Sequence, residues 1–166
     1  MKYKLFFFLI LLASCNQKPE NQNSYLSNVG KILPEHSIDD PNFKPCHDDF
    51  SLFFYQLENK TLYQGEKPAI LAAFKELDLP KISQNSGYIT VRFLVNCKGE
   101  TGRFRTEQID FEYKSKQFKG DIVERVLFKT KSLNGWLPGK FNGYKCDYYT
   151  YLTFKIIDNQ IAEILP

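Results

Sequence analysis

The sequence predicts an α+β domain, a two-layer sandwich in which two helices cover one face of a mainly antiparallel sheet. Three observations predict it. Aromatic residues, which favour strands, are abundant, with 15 Phe, 10 Tyr and 1 Trp. Two segments between the predicted strands have the spacing of amphipathic helices. Residues 88–96 alternate cleanly, and the apolar residues on their shared face are Ile89, Val91, Phe93 and Val95.

The first half of the domain is predicted to contain a strand pair followed by a helix. Residues 50–56 are aromatic and apolar, which suits a strand, and residues 61–63 form the returning strand after a polar turn. Pro68 lies in the first helical turn, where its missing N–H is not needed, and Pro80 stops the helix. The apolar face of this helix carries Ile70, Leu71, Phe74 and Leu77.

The second half is predicted to contain two long strands, a helix and a short final strand. Residues 103–113 pair with the strand at residues 88–96, and a change in apolar parity predicts a bulge near Glu107. The second helix spans residues 118–132, and a long strand follows at residues 144–157. We expect the strand at residues 88–96 to lie between the other two long strands, with a right-handed crossover through the helix. Residues 161–165 form the last strand.

The first 14 residues are predicted to be an export signal. Lys2 and Lys4 give a positive start, and the apolar run LFFFLILLA at residues 5–13 is shorter than the ~20 residues of a spanning helix. The sequence Leu12-Ala13-Ser14-Cys15 then resembles the lipobox of bacterial lipoproteins. The resemblance implies that Cys15 is lipidated, becomes the first mature residue and anchors the protein to a membrane. The alternatives are an ordinary secretory signal with a chance cysteine and a buried apolar strand.

The chain is predicted to have three parts. By the lipobox resemblance, residues 1–14 are the signal peptide and residues 15–48 comprise the lipidated cysteine and a flexible tether, while residues 49–166 are the predicted folded domain. The start of the tether, NQKPENQN, has too few apolar residues to bury a core. Asn16 stands where the enteric-type sorting pattern has an aspartate for inner-membrane proteins, so we expect the outer membrane. The sequence does not decide between the periplasmic face of the outer membrane and the cell surface as the location of the domain.

Charge and motifs exclude several function classes. The net charge of +3 falls to about +1 (3 − 2) when Lys2 and Lys4 are removed, and no basic stripe indicates nucleic-acid binding. The sequence has no phosphate loop, no nucleophile elbow and no zinc-protease helix. It therefore predicts a protein that is not an enzyme, with no catalytic residues, no metal and no cofactor. The alternative is a small envelope enzyme or metal-binding protein that uses Cys46 and His47.

The segment Gly87-Tyr-Ile-Thr-Val-Arg-Phe-Leu-Val-Asn-Cys-Lys-Gly99, a helix, and Trp136-Leu-Pro138 before a long strand resemble the TonB/TolA C-terminal domain. The resemblance covers residues 66–157. It implies a TonB-like fold and a protein-binding or accessory role in the cell envelope, linked to TonB-type transport. Members of the TonB type dock a strand edge against a short peptide of an outer-membrane receptor. TonB itself has an inner-membrane anchor and a long proline-rich span, which this chain lacks.

Five residues of the domain are candidates for specific roles. Aromatic residues concentrate at interfaces, so Trp136, Tyr149 and Tyr151 are candidates for partner binding. Tyr149 and Tyr151 have the parity opposite to the apolar face of their strand. Cys97 and Cys146 lie at facing ends of neighbouring strands, and we predict a disulfide between them in an oxidising envelope. Two buried free thiols are the alternative.

Overall fold

The domain contains one mixed sheet of six strands and two helices. The computed structural model describes residues 30–47 and 50–165. The helices are α1 (Glu66–Lys75) and α2 (Ile122–Lys131), and a single 3₁₀ turn, Phe54–Gln56, follows the first strand. The strands are β1 (Ser51–Phe53), β2 (Gly87–Val95), β3 (Thr101–Ile109), β4 (Gly139–Phe141), β5 (Tyr144–Ile157) and β6 (Gln160–Leu165). The predicted α+β class is confirmed.

The central strands are arranged as the sequence predicts. β2 lies between β3 and β5 and is antiparallel to both, so β3 and β5 run parallel to each other. β5 also pairs with β4 and β6 in antiparallel fashion and with β1 in parallel fashion. Within the described ranges, none of the helices has the length and apolar character to cross a membrane.

Both helices pack on the same face of the sheet, as predicted. Alternate residues of a strand point to opposite faces, so the clean alternation of β2 produces one fully buried row. The members of that row, each 0% exposed, are Ile89, Val91, Phe93 and Val95. They share one core with the buried helix residues Ile70 and Phe74 of α1 and Ile122, Val123 and Val126 of α2.

Residues 30–47, which we call the covering segment, cover part of the opposite face, so this part of the predicted tether belongs to the fold. Ile32 is buried in a second apolar cluster with Leu94 and Tyr149. Arg105 of β3 holds the segment through an ion pair with Asp39 at 2.6 Å. The packed region therefore does not begin near Asp49. The predicted signal peptide and Cys15 lie outside the described residues.

Several element boundaries differ from the predictions for local reasons. The bulge is not near Glu107, which pairs regularly with Thr90, but opposite Phe93, where Arg103 has a φ of +53°. β3 ends at Ile109 because the Asp110 carboxylate accepts N–H groups from a turn that replaces the expected continuation to residue 113. α2 begins at residue 122 rather than 118. Residues 61–63 form only an isolated bridge to residue 136, not a strand.

Candidate functional site at an unpaired edge of β5

One edge of β5 has a gap in its strand pairing. Tyr149 pairs with both β2 and β1, and Phe154 pairs with both β2 and β6, so β1 and β6 lie on the edge opposite β2. β1 pairs up to Tyr149 and β6 pairs from Thr153 onward. Within the described chain, residues 150–152 pair with no strand on that edge. We call this stretch, about 10 Å long at roughly 3.3 Å per residue, the β5 gap.

A cavity of about 350 Å³ lies on the helix side of the β5 gap. We call it the helix-side cavity. Its charged residues, Lys60, Glu66 and Lys67, are all exposed, so they lie where the cavity meets solvent. Its apolar lining includes Leu62, Ile70, Trp136, Leu152 and Ile164. This combination of apolar walls and few polar groups is typical of ligand sites.

A second cavity of about 500 Å³ lies on the opposite face of the sheet, and we call it the opposite-face cavity. Arg92 lines it, buried to 8% exposure, and donates a hydrogen bond to the Gly30 carbonyl at 2.6 Å. Burial lowers the pKa of the Arg92 guanidinium, while Glu107 and Tyr149 raise it. An arginine remains charged under these influences, so the cavity contains a fixed cation beside an acid.

The two cavities meet at the β5 gap. Both are lined by Phe54, Thr150 and Tyr151, the last two of which belong to the unpaired stretch. An extended chain placed at this edge would therefore have a recess on each side. Because side chains of an extended segment alternate between faces, both recesses would be filled by consecutive residues.

The three predicted partner-binding residues converge on this place. Trp136 is 6% exposed and lines the helix-side cavity, whereas Tyr149 is 5% exposed and lines the opposite-face cavity. Tyr151 is half-buried and lines both. They form cavity walls rather than an exposed aromatic patch. Their role in partner binding stays a prediction.

The outer edge of β3 is a weaker candidate for strand addition. The bulge at Arg103 interrupts its regular pairing geometry, and the Phe43 ring lies against Gly102. Arg105 is engaged by Asp39, which belongs to the covering segment. Bulges, charged side chains and covering loops are the devices that protect sheet edges from other chains. The β5 gap has a recess on each side instead, and the one on the helix side is mostly apolar.

The predicted disulfide between Cys97 and Cys146 is wrong. Cys97 is bonded to Cys46, with their Cα atoms 5.9 Å apart, and Cys146 is a buried free thiol. The reason lies in the turn after β2, where the Asn96 side chain accepts N–H groups from Lys98 and Glu100. The strand ends at Val95, so the alternation on which the predicted pairing relied does not extend to Cys97. Burial, with the nearby acids Asp147 and Glu58, raises the pKa of the Cys146 thiol.

Asp147 joins the disulfide to the sheet. Its carboxylate is fully buried, and its two oxygens accept three backbone hydrogen bonds. Oδ2 accepts the N–H of Cys46 at 2.7 Å and of His47 at 3.0 Å, and Oδ1 accepts the N–H of Cys97 at 2.7 Å. The covering segment, the turn after β2 and strand β5 are therefore held together at one point, which we call the Asp147 clamp.

The alternative function at Cys46 and His47 loses its nucleophile in this arrangement. A thiolate is the reactive form of cysteine and the form that binds metals, whereas the Cys46 sulfur is bonded to Cys97. One ligand atom from each of Cys46, Cys97 and Asp147 lies within 4.8 Å of the others, a spacing that would suit a metal ion. The sulfurs bond each other, however, and the carboxylate binds three N–H groups. The geometry supports a structural clamp.

Two of the residues that shape this region were not predicted from the sequence. Cys46 lies within the predicted tether, although the predicted export of the chain and two further domain cysteines made it a candidate for pairing. Asp147, a lone acid inside the apolar alternation of β5, was the available signal for a buried carboxylate with backbone partners.

Comparison with known proteins assigns no family. The chain matches no protein-family model, no curated protein and no solved structure. The resemblance to the TonB/TolA C-terminal domain and to lipoproteins therefore stays a prediction.

Proposed function

We propose that the protein is a lipid-tethered binding module of the outer membrane and that its partner inserts a short extended segment at the β5 gap. One observation carries the location, namely an unpaired stretch of sheet edge with a cavity on each face. The lipobox resemblance supports the anchor. The resemblance to the TonB/TolA domain supports an envelope protein, such as an outer-membrane receptor, as the partner.

The physical basis of the proposal is strand addition. The edge of a strand presents backbone N–H and C=O groups that can pair with another chain, while pockets for alternate side chains supply specificity. β1 and β6 close the two ends of the β5 gap, so the inserted segment is short, about three residues in the paired part. Its side chains enter the helix-side and opposite-face cavities in turn.

Photo-cross-linking in whole cells tests the location. We would replace Tyr151 by benzoylphenylalanine and compare it with the same replacement at Tyr113, which is 76% exposed and lines neither cavity. We expect a discrete cross-linked envelope protein from position 151 and none from position 113. Equal products from both positions, or none from position 151, would refute binding at the β5 gap.

A cavity-filling variant sharpens the same experiment. Leu165 lines the helix-side cavity at the end of β6, so Leu165→Trp should occupy part of it and reduce the cross-link from position 151. Ile157→Trp is the matched control, because Ile157 is 46% exposed and lines neither cavity. An undiminished cross-link in Leu165→Trp would count against the inserted segment.

Fractionation tests the anchor separately. The Cys15→Ala form cannot accept the thioether-linked lipid, so we expect it to leave the outer-membrane fraction, whereas Cys146→Ala should remain there. Retention of Cys15→Ala in that fraction would remove the lipid anchor from the proposal without affecting the binding site.

A further inference from the structure

The chain that follows β1 has the length and the register to close the β5 gap. β1 pairs in parallel with β5 up to Phe53 and Tyr149, and a 3₁₀ turn, Phe54–Gln56, then ends the strand. If the same register continued, residues 54–56 would lie opposite residues 150–152. β6 pairs from Thr153 onward, so a fourth residue has no place on that edge. The segment that could close the gap is therefore as long as the gap itself.

The side chains of this segment suit the two cavities. Alternate residues of a strand point to opposite faces, so in a continued β1 Tyr55 would share the face of Phe53, and Phe54 would take the helix side. Phe53 packs in the apolar cluster on the opposite face, and Tyr55 lines the opposite-face cavity. Phe54 lines both cavities and contacts Tyr151, with ring centroids 5.5 Å apart. Closure would therefore fill each recess with an aromatic ring that already lies beside it.

A short turn opposes the strand preference of this segment. Aromatic residues favour strands, and the sequence predicts a strand over residues 50–56. The turn is flanked by Phe53 and Leu57, which are both extended. The Gln56 side chain accepts the Phe53 N–H at 2.8 Å, and the Leu57 N–H donates to the Phe54 carbonyl at the long distance of 3.4 Å. Between Phe53 and Leu57, only the three turn residues would have to become extended.

Glu58 and Asn59 hold the chain after the turn away from the gap. The Glu58 N–H donates to the Lys140 carbonyl at 2.9 Å, and the Asn59 side-chain oxygen accepts the Lys140 N–H at 2.8 Å. The Glu58 carboxylate also accepts the Asn142 N–H at 2.6 Å. These bonds join the chain to β4 and to the turn that follows it, and we call them the β4 tie.

We propose that residues 54–56 are a strap that continues β1 and closes the β5 gap when the β4 tie is released. The form with the 3₁₀ turn is the open form that binds the partner. The closed form excludes the partner, because the strap occupies the same edge and both cavities. This inference rests on the proposed function and adds regulation to that site.

The loop between Gln56 and Leu62 is long enough for closure. Six residue steps span up to ~20 Å of extended chain. Leu62 lines the same cavity as Leu152, which is the residue that Gln56 would meet. Closure withdraws half-buried Leu57 from the core, and the aromatic rings that enter the two cavities offset this loss.

Amide hydrogen exchange at residues 150–152 tests the strap without any partner. We would break the β4 tie with Glu58→Ala/Asn59→Ala, the tie variant, and compare it with Glu124→Ala/Gln117→Ala, whose side chains are exposed and line neither cavity. In the ¹⁵N-labelled protein, we expect the amide that faces the gap to exchange about tenfold more slowly in the tie variant, because pairing with the strap protects it. The control should exchange as the unmodified protein does. Unchanged exchange in the folded tie variant would overturn the strap.

A further substitution identifies the strap. Tyr55 is 70% exposed in the open form, so Tyr55→Gly is tolerated there but removes the ring and the strand preference that closure uses. Added to the tie variant, it should restore the exchange rate of the unmodified protein, and persistent protection would overturn the assignment to residues 54–56. If the tie variant does not fold, Gln56→Val removes the acceptor of the Phe53 N–H and takes its place. Unchanged exchange in Gln56→Val then overturns the proposal.

The outcomes separate the strap from the proposed function. A closed tie variant should also give less cross-link from position 151. An undiminished cross-link in a variant whose residues 150–152 are protected would support the strap and refute docking at the β5 gap. Unchanged exchange in the tie variant, together with a cross-link from position 151 in the otherwise unmodified protein, overturns the strap alone.

Discussion

Replacing Asp147 by asparagine should destabilise the fold strongly, although the two side chains have nearly the same shape. The carboxylate accepts three backbone N–H groups with two oxygens, and asparagine offers one oxygen and an NH₂ group. If the NH₂ replaces Oδ1, the Cys97 N–H loses its acceptor, which costs about 1–3 kcal/mol for a buried donor. The two remaining bonds lose the assistance of the charge, about 1 kcal/mol each.

Removing a buried charge offsets part of this loss, because the carboxylate no longer has to be desolvated. We therefore expect the free energy of unfolding of Asp147→Asn to fall by about 2–4 kcal/mol. Urea unfolding with the disulfide intact measures it. Asp78→Asn is the matched control, since Asp78 is exposed, and its effect should stay within ~0.5 kcal/mol. A similarly small effect for Asp147→Asn would refute the Asp147 clamp.

Three further results are expected. The Cys46→Ala/Cys97→Ala variant should lose about 4 kcal/mol of unfolding free energy for a loop separation of 51 residues, and a loss under ~1 kcal/mol in urea would contradict a formed disulfide. When the lipidated protein is denatured without reductant, alkylation should find one free thiol, that of Cys146, and three free thiols would contradict the Cys46–Cys97 disulfide. In the folded protein the Cys146 thiol should react much more slowly, because burial raises its pKa. Burial raises the pKa of Asp39, but the charge of Arg105 and the hydrogen bonds from Arg105 and the Glu35 N–H together lower it by a larger amount. The pKa of Asp39 is therefore below its ordinary value. The stabilisation from the Asp39 carboxylate is therefore complete above the unfolded pKa of ~3.9 and is lost as the pH falls through the folded pKa. The difference in unfolding free energy between the protein and Asp39→Asn should therefore shrink below about pH 4. A difference that stays constant across a pH series would contradict this prediction.

The long strands could be predicted because each carries apolar residues at alternate positions, which form a row on one face. In β2, a shift by one residue would move Ile89, Val91 and Phe93 to the opposite face, so the alternation determines both strand and face. The same argument held for β5, which runs over residues 144–157 as predicted. The order of the central strands then followed from the connections, since β2 and β3 share a tight turn and α2 provides the crossover.

The candidate site could be predicted only in part. Tyr149 and Tyr151 were identified by their alternate positions along the strand, and Trp136 by its aromatic character. Both properties can be read from the local sequence. The β5 gap depends instead on where a three-residue β1 stops and where β6 begins to pair, and these are long-range events. No local pattern encodes them.

The covering segment was missed for a related reason. Its contacts are few and irregularly spaced, with Ile32 as its buried apolar residue and the rest of its attachment made through Asp39 and Cys46. Periodicity therefore indicated no element. The segment is attached to the sheet by the Cys46–Cys97 disulfide and by the ion pair between Asp39 and Arg105, whose partners are more than 50 positions away.

The disulfide also determines how mechanical load would pass through the protein. With the anchor proposed at Cys15, tension from the membrane enters the described chain at Gly30 and can peel the covering segment from the sheet by roughly 50 Å of extended chain. At Cys46 the peeling stops, because the covalent bond transfers the force to Cys97, just beyond the end of β2. A partner held at the β5 gap pulls on the adjacent strand, and nine paired positions join β2 to β5. The force then passes through the Cys46–Cys97 disulfide and the hydrogen-bonded ladder between β2 and β5, and the two helices do not carry it.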